Sequence, residues 1–331
     1  MDEKSALFSR RTVMALMAGT AAAGLVLPKS AFAEDWPSRP VTMVVPYGPG
    51  ASNDTFTRAV SQSMSETMGQ PFVVDNRPGA GGFTGTNSVV KADPDGYTFL
   101  EMPNSIMGLA PGMKVDFDPF TDLTAIGMLA KAPVAMVVPS SLPVKTVAEF
   151  IDYAKANPDT TFYGFAGIGT TQHQHGELFK KNAGLDIKGV NYKSSADAQT
   201  DLVAGRLSLM LVTIASALGQ IQAGQLRLLA YSADNYPPGS PEAPTLAEAG
   251  VPNMEGAQIW WGLFAPPKLP EDITTRMNKA LNDALATQTF KDLAAKSGAT
   301  PSPMTPAEFT AAMHKEQDAL EAFLKTIDLQ N

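Results

Sequence analysis

The chain has 331 residues, a formal net charge of −8, three histidines and no cysteine. Without cysteine it can form no disulfide and no thiolate metal site, and it has no cysteine nucleophile. Because affinity for nucleic acid depends on Lys and Arg side chains that neutralise phosphates, this acidic chain predicts no nucleic-acid partner.

The first segment, residues 1–33, has the organisation of a secretory signal peptide. Arg10 and Arg11 precede an apolar run from Val13 to Leu27, and Ala31-Phe32-Ala33 supplies the small residues of a cleavage site. The order Ser9-Arg10-Arg11-Thr12-Val13 resembles a twin-arginine export signal, with an ordinary export signal as the alternative. The apolar run is shorter than the roughly 20 residues that span a membrane. We therefore expect a periplasmic protein without direct membrane insertion.

The segments that follow alternate between strand and helix patterns. Strands are predicted at 41–46, 71–75 and 97–102, with helices at 53–68 and 82–91 between them. Short connections in such an alternation favour a parallel, doubly wound sheet.

A second alternation follows and ends in a helical tail. Strands are predicted at 133–138, 161–165, 187–192, 207–213 and 226–231, and helices at 146–156, 171–183, 196–204 and 215–223. A Pro/Gly-rich break at 235–241 precedes one aromatic strand within 256–267 and helical segments from 270 to 329. The tail has too few strands for a domain of its own, so we expect it to pack on the first lobe.

The predicted fold class is therefore α/β, with two doubly wound lobes joined by a hinge. The first lobe comprises 34–133 and 235–331, and the second comprises 134–234. The chain crosses between the lobes near 133–138 and again near 231–236. A hinge between two α/β lobes creates a cleft, which is where small ligands commonly bind.

Each predicted lobe has a glycine-rich turn between a strand and a helix. The first runs from Tyr47 to Asp54 and the second from Phe165 to His173. Ligands of open α/β sheets bind at the carboxyl ends of strands, and the free N–H groups of a helix start favour an anion. The turns thus predict a two-sided site for a small anion. For either turn alone a plain tight connection, with Ser52 or Thr170 as helix cap, is the alternative.

The predicted ligand-binding residues follow from these turns. They are Tyr47, Gly50, Ala51, Ser52, Asn53 and Asp54 in the first turn, and Phe165, Gly167, Gly169, Thr170 and Thr171 in the second. Asp54 is a carboxylate itself, so we expect it to orient the backbone or to act through water rather than to touch the anion.

The sequence resembles the solute receptors of tripartite tricarboxylate transporters, the Bug-type periplasmic binding proteins. The matching motifs, in order, are WPSRPVTMVVPYGPG…D at 36–54, GQPFVVDNRPGAGGFTGT at 69–86, ADPDGYT at 92–98, GIGTTQHQHGELF at 167–179, VNYKSSADAQTDLVAGRLSLM at 190–210, GQLRLLAYSA at 224–233, PEAPTLAEAGVP at 241–252 and WWGLFAPPKLP at 260–270. The resemblance implies a type II periplasmic-binding fold that holds a carboxylate at the two turns, partly through ordered water. It also implies delivery of that ligand to membrane transporter subunits, and we expect a monomer.

Some positions differ from the family pattern. Ala51 stands where the family usually has glycine, and Val212 where it often has an acidic residue. Ala166 and Ile168 stand where small polar residues are frequent. Together with Phe165, these residues predict a less polar distal pocket and an apolar or aromatic carboxylate. Asn104 is a further candidate for contact with the ligand.

Other functions have less support in the sequence. Gln172 stands in place of the third glycine of a dinucleotide fingerprint, and the first turn has no Lys-Ser/Thr of a phosphate loop. His173 and His175 lie two apart on a predicted helix and do not share a face, so we expect a helix-start hydrogen-bonding residue and a surface residue rather than a metal pair. We predict no enzyme, no cofactor and no metal. The alternative function is a periplasmic sensor that presents its liganded form to a signalling receptor.

Overall fold

The computed structural model describes residues 36–50, 52–79, 82–104, 117–168, 170–236, 239–254 and 256–324. The predicted signal peptide and the candidate site residues Ala51 and Gly169 lie outside the described residues. Residues 36–38 belong to an N-terminal unit, Met1–Ser38, separate from the unit Arg39–Asn331. The fold below is that of the second unit.

The first lobe is built on three parallel strands in the order β2-β1-β3. They are β1 (Val41–Val45), β2 (Phe72–Asn76) and β3 (Thr98–Pro103), connected by helices α1 (Ser52–Met68) and α2 (Phe83–Val90). Phe56, Val60 and Met64 of α1 are wholly buried and form the apolar face of this helix. Parallel strands place their carboxyl ends at one edge of the sheet, and the first glycine turn lies there.

A single strand, β4 (Thr124–Pro139), runs through both lobes. Its residues 124–133 pair with β9 (Gln258–Ala265), which in turn pairs with β3. Its residues 134–139 pair with β7 (Leu209–Thr213) and β8 (Leu226–Tyr231). The strand predicted at 133–138 is thus the second half of a 16-residue strand. The first half was missed because TAIGMLAKA has little β-propensity, and its pairing with β9 is decided by contacts far away in sequence.

The second lobe has the strand order β4-β7-β5-β6. β5 (Phe162–Ala166) is parallel to both β6 (Lys188–Tyr192) and β7. Its helices are α3 (Val147–Ala156), α4 (Thr171–Asn182), α5 (Ser195–Val203) and α6 (Ile214–Gln222), with a 3₁₀ turn at Pro158–Thr160. The second glycine turn follows the carboxyl end of β5.

The chain returns to the first lobe at the start of β9, where Gln258 pairs with Pro133 of β4. Before that point Leu246, Val251 and Met254 pack in the apolar core of the second lobe, together with Phe150. These side chains lie beyond residue 235, the predicted lobe boundary. Burial of the apolar residues between 246 and 257 keeps this segment with the second lobe.

The C-terminal tail packs on the first lobe. It comprises α7 (Glu271–Leu285), α8 (Gln288–Lys296), the short β10 (Thr300–Pro301) and α9 (Pro306–Leu324). The Phe56 ring of α1 lies 5.0 Å from the ring of Trp261 and 5.7 Å from that of Phe290. Trp260 instead packs edge-on against Phe309 of α9. Both tryptophans are core residues on opposite faces of β9. No helix of the described part is long and apolar enough to cross a membrane.

Candidate ligand-binding site

The first turn leaves β1 at Val45 and enters α1 at Ser52. Gly50 has φ of 93°, a left-handed conformation that favours glycine. The N–H groups in the first turn of any α-helix have no acceptor within the helix. Those of Ser52 and Asn53 therefore stand at the carboxyl edge of the sheet, where the helix dipole favours an anion.

Asp54 stabilises this turn from its buried side. It is 4% exposed, and it accepts hydrogen bonds from Gly50 N–H at 3.0 Å, from Arg58 Nε at 3.0 Å and from Asn76 Nδ2 at 3.0 Å. Burial acts to raise the pKa of Asp54, but the hydrogen bonds from Arg58, Gly50 and Asn76 outweigh it and the pKa is lowered. The bond from Gly50 agrees with the backbone-orienting role expected for Asp54. It also means that the Gly50 N–H is not free for a ligand.

Asn76 is a site residue that the sequence analysis missed. Its Nδ2 donates to the carbonyl oxygen of Tyr47 at 3.0 Å as well as to Asp54, and its Oδ1 accepts from Arg58 Nη2 at 2.9 Å. Asn76 thus connects both ends of the first turn. The sequence feature that could have identified Asn76 is its position at the end of β2, the strand that pairs with β1.

Glu101 lies behind the same turn and was also missed. Its side chain is wholly buried in β3, and Asn53 Nδ2 donates to its two carboxyl oxygens at 3.0 and 3.1 Å. Burial raises the pKa of Glu101 to about 8, with a lowering contribution from Asn53 and a raising one from nearby Asp54. A glutamate is ordinarily exposed, so nothing in the sequence YTFLEM points to a buried carboxyl group. The contact also occupies the Asn53 amide, a predicted ligand donor.

The second turn already satisfies some of its own N–H groups. Gly167, with φ of 97°, donates its N–H to Asn191 Oδ1 at 2.8 Å, and Ala166 donates to Gln172 Oε1 at 3.1 Å. Thr170 caps α4, because its Oγ1 accepts from His173 N–H at 3.5 Å. The Gly167 N–H is therefore used within the turn, and a role of Gly167 in ligand binding stays a prediction. The helix-start N–H groups at Thr171 and Gln172 are the donors that helix geometry leaves to a ligand.

Of the residues predicted to make the distal pocket apolar, Ile168 is the most exposed and Ala166 is half-buried. Ile168 is 58% exposed at the tip of the second turn, whereas Phe165 and Val212 are buried in the core of the lobe. Phe165 stacks on the His173 ring at 4.2 Å between centroids. Val212 belongs to β7, an interior strand with neighbours on both sides, and packs among apolar side chains such as Ile214. The structure does not bring Val212 to the surface of the turn.

The amide N–H groups of Asn104 are likewise used in internal contacts. It is buried at the end of β3, and its Nδ2 donates to the carbonyl oxygen of Gln258 at 2.9 Å and to Glu316 Oε1 at 2.9 Å. Glu316 also accepts from Trp260 Nε1 at 2.5 Å, and burial raises its pKa despite these two bonds. Both N–H groups of the Asn104 amide are therefore used, and they tie β3 to β9 and α9 near the hinge.

The histidines do not form a metal site in the part of the chain that the structure describes. Burial lowers the pKa of His173, and it lowers that of His175 to about 4. The expectation of a surface position for His175 is wrong, because α4 turns this residue towards the core with Phe179. Among the described residues, no group of three or more His, Asp or Glu could hold a metal ion.

A cavity of about 730 Å³ lies elsewhere in the first lobe, between α7, α8 and the segment around β10. Its lining includes Leu285, Lys291 and Pro301, and none of the described turn residues. It therefore does not belong to the candidate site.

The fold is that of a two-lobed α/β solute-binding protein of the periplasmic type. The chain belongs to the family described as "Tripartite tricarboxylate transporter family receptor", whose profile matches residues 56–329. This confirms the predicted family and fold class. Family and fold are those of binding proteins for transporters, not of enzymes.

Three individual relatives are similar to this chain over most of its length. BugT of Bordetella pertussis is 32% identical over 289 residues, which cover 86% of this chain and 88% of BugT. A Rhodopseudomonas palustris protein solved with adipate is 35% identical with a TM-score of 0.76, over 88% of this chain and 98% of its own. MatC from Rhodopseudomonas palustris, with bound malate, is 29% identical with a TM-score of 0.72, over 87% of this chain and 100% of its own.

Proposed function

We propose that the chain is a periplasmic receptor that binds a small organic carboxylate between its lobes and delivers it to the membrane subunits of a tripartite tricarboxylate transporter. The observation that carries this proposal is the first turn. Asp54 and Asn76 fix its backbone, and the N–H groups of Ser52 and Asn53 begin α1 at the carboxyl edge of the sheet. The carboxylates bound by the two Rhodopseudomonas palustris relatives support the same ligand class.

The test is calorimetry of the mature protein with a panel of adipate, malate, citrate, benzoate and glutamate. We expect at least one carboxylate to bind and its amide analogue not to bind, because the amide lacks charge-assisted hydrogen bonds worth several times RT. Absence of binding by every carboxylate would contradict the proposal. Capture of membrane subunits on the liganded protein tests the partner.

We propose that the distal end of the ligand is apolar, as the sequence suggested, but that Ile168 rather than Phe165 or Val212 provides the contact. Exposed apolar surface gains about 25 cal/mol per Å² when a ligand covers it. Ile168→Ser should therefore weaken an apolar carboxylate such as benzoate more than citrate. Val73→Ser is the matched control, since Val73 is 52% exposed on β2, away from both turns. Equal losses for benzoate and citrate would contradict this contact.

We propose export through the twin-arginine route, on the basis of Arg10-Arg11 and Ala31-Phe32-Ala33. Replacement of both arginines by lysine should retain the protein in the cytoplasm, as shown by fractionation. Unchanged export in cells that lack the twin-arginine route would instead indicate an ordinary signal. For the mature protein, light scattering should give the mass of a monomer.

A further inference from the structure

Glu101 is a buried carboxyl group with very little to stabilise its charge. It has no exposed surface, and the polar group that contacts it within the described residues is the amide of Asn53. Buried carboxylates are normally paired with a cation or accept several hydrogen bonds. The single amide nitrogen of Asn53, which donates to both carboxyl oxygens, stabilises a negative charge less than a cation or several hydrogen bonds would.

The elements packed against β3 supply no cation to it. β1 (VTMVV), β9 (QIWWGLFA) and α2 (FTGTNSVV) contain no titratable side chain. On α1, Arg58 pairs with Asp54 at 2.9 Å, and Glu66 lies at the far end of the helix. On α9, Glu316 contacts Asn104 rather than Glu101. Among the described residues, the charge that acts on Glu101 is that of the Asp54 carboxylate, and it is negative.

These surroundings keep Glu101 neutral at pH 7. Burial raises the pKa of Glu101 to about 8, and the Asp54 carboxylate adds to the shift. The group thus changes from neutral to negative just above neutral pH. Asp54 does not titrate there, because its own pKa is lowered, and burial lowers the pKa of His173 and His175 as well.

The position of Asn53 links the protonation state of Glu101 to the binding of an anion at the first turn. Asn53 stands in the first turn of α1, with its amide on Glu101 and its backbone N–H among the donors of the first glycine turn. An ionised Glu101 holds the Asn53 amide and places a negative charge directly behind those donors. An anion at the turn and an ionised Glu101 repel each other, whereas a protonated Glu101 removes the repulsion.

We propose that the first turn binds its carboxylate together with a proton on Glu101, a positioning residue that acts on the ligand through Asn53. The inference rests on the proposed function, and it adds that uptake of the anion is linked to uptake of a proton. By reciprocity, bound carboxylate makes Glu101 hold its proton more tightly.

The experiment is isothermal titration calorimetry with adipate and with malate between about pH 6 and about pH 10, in pairs of buffers with different ionisation heats. The association constant for the ligand should be constant up to about pH 7.5. Above that pH it should decrease, by at most about tenfold per pH unit for one linked proton. Proton uptake on binding should approach one above pH 8. Glu101→Gln should remove both the fall and the uptake.

Two controls make the assignment specific. The α-amino group of a chain also titrates near pH 8, so the comparison with Glu101→Gln, rather than the pH profile alone, identifies the group. Glu308→Gln changes a glutamate of α9 that accepts the backbone N–H of Thr305 at 2.8 Å and has a lowered pKa. It remains ionised across this range, and its substitution should retain the wild-type profile.

Infrared spectroscopy tests directly whether Glu101 is protonated. Infrared difference spectra of the free protein should show the C=O band of a buried carboxylic acid at pH 6, lost in alkali and absent from Glu101→Gln. Binding with a pH profile unchanged by Glu101→Gln would overturn the coupling and leave the proposed function intact. If neither adipate nor malate binds at any pH, nor any other carboxylate of the panel, the proposed function fails and the coupling fails with it.

Discussion

At the scale of single residues, the first turn is held by side chains that its ligand does not need to touch. Asp54 fixes Gly50, and Asn76 fixes Tyr47 and Asp54 together. The Asp54 carboxylate would repel an anion bound at this turn, but its ion pair with Arg58 offsets that charge. The turn can therefore present N–H groups at the surface while the ionic contacts stay behind it.

We expect Asp54→Asn to weaken ligand binding and to lower the free energy of unfolding by about 1–3 kcal/mol. The substitution removes the charge that Arg58 pairs with, and it introduces an NH₂ group among three donors. The pH dependence should change too. The pKa of Asp54 is lowered, so its contribution to stability is full above the unfolded value and is lost as the pH falls through the folded value.

Urea unfolding at pH 7 and at acid pH, together with calorimetry, measures these effects. Asp75→Asn is the matched control, because Asp75 forms an ion pair with Arg77 in which both side chains are about two-fifths exposed. Exposed pairs of this kind contribute about 0–1 kcal/mol. Equal stability of the two variants would show that Asp54 does not organise the turn.

Sequence reasoning at this scale was reliable for local geometry and weaker for burial. The Thr170 cap, which the sequence analysis gave as part of the alternative interpretation of the second turn, is present. Gly50 has the left-handed conformation that favours glycine. Whether Val212 or Glu101 faces solvent depends on strands and helices far away in sequence. A glutamate in a strand is ordinarily exposed, so composition gave no reason to place Glu101 in the core.

At the scale of secondary-structure elements, α2 supports the first turn through a glycine. A Cβ on Gly85 would lie 2.7 Å from Cβ of Pro46 and 2.9 Å from the carbonyl oxygen of Arg77. This close approach lets α2 pack directly beneath the start of the turn. A glycine inside a helix is otherwise unfavourable by about 1 kcal/mol relative to alanine.

We therefore expect Gly85→Ala to destabilise the protein, by about 1–3 kcal/mol, against its helix propensity. Pro46 must shift, so ligand affinity should also fall. Gly219→Ala on α6 is the matched control, because a Cβ added at Gly219 would meet nothing within 4 Å. That variant should be stabilised by up to about 1 kcal/mol. Thermal unfolding of both variants decides the point, and a stabilised Gly85→Ala would contradict the packing argument.

The elements themselves were predicted well where their own periodicity is strong. α1 was expected at 53–68 and begins one residue earlier. The first half of β4 was not predicted, since its residues become a strand only when β9 pairs with them. The same reason explains the segment 246–257, whose loop-like sequence gives no sign that it packs in the second lobe.

At the scale of the whole molecule, the two lobes share a narrow connection. β4 passes from one to the other at Pro133, and the returning chain lies beside it at Gln258. The Asn235 amide donates to the Gln258 side chain at 3.2 Å. Two adjacent crossings restrict the motion to bending about one region, which is the geometry of a hinge.

We expect ligand to close the lobes and to reduce the radius of gyration measured by small-angle X-ray scattering. A carboxylate bound by both turns stabilises the closed form by its differential affinity for that form. Adipate at saturation is the test ligand, and adipamide, which has no carboxylate, is the control. An unchanged radius while calorimetry shows binding would count against closure.

The sharing of β4 also bears on how the chain folds. Strands β5, β6 and β7 pair within the stretch from Phe162 to Thr213, whereas the sheet of the first lobe is completed only when β9 joins β3, where Leu100 pairs with Phe264. Contacts between residues so distant in sequence slow folding more than they affect stability. The second lobe can therefore form while the first is incomplete. In pulse-labelled hydrogen exchange during refolding, the amides of β5 should gain protection before those of β9, and the reverse order would show that the first lobe nucleates folding.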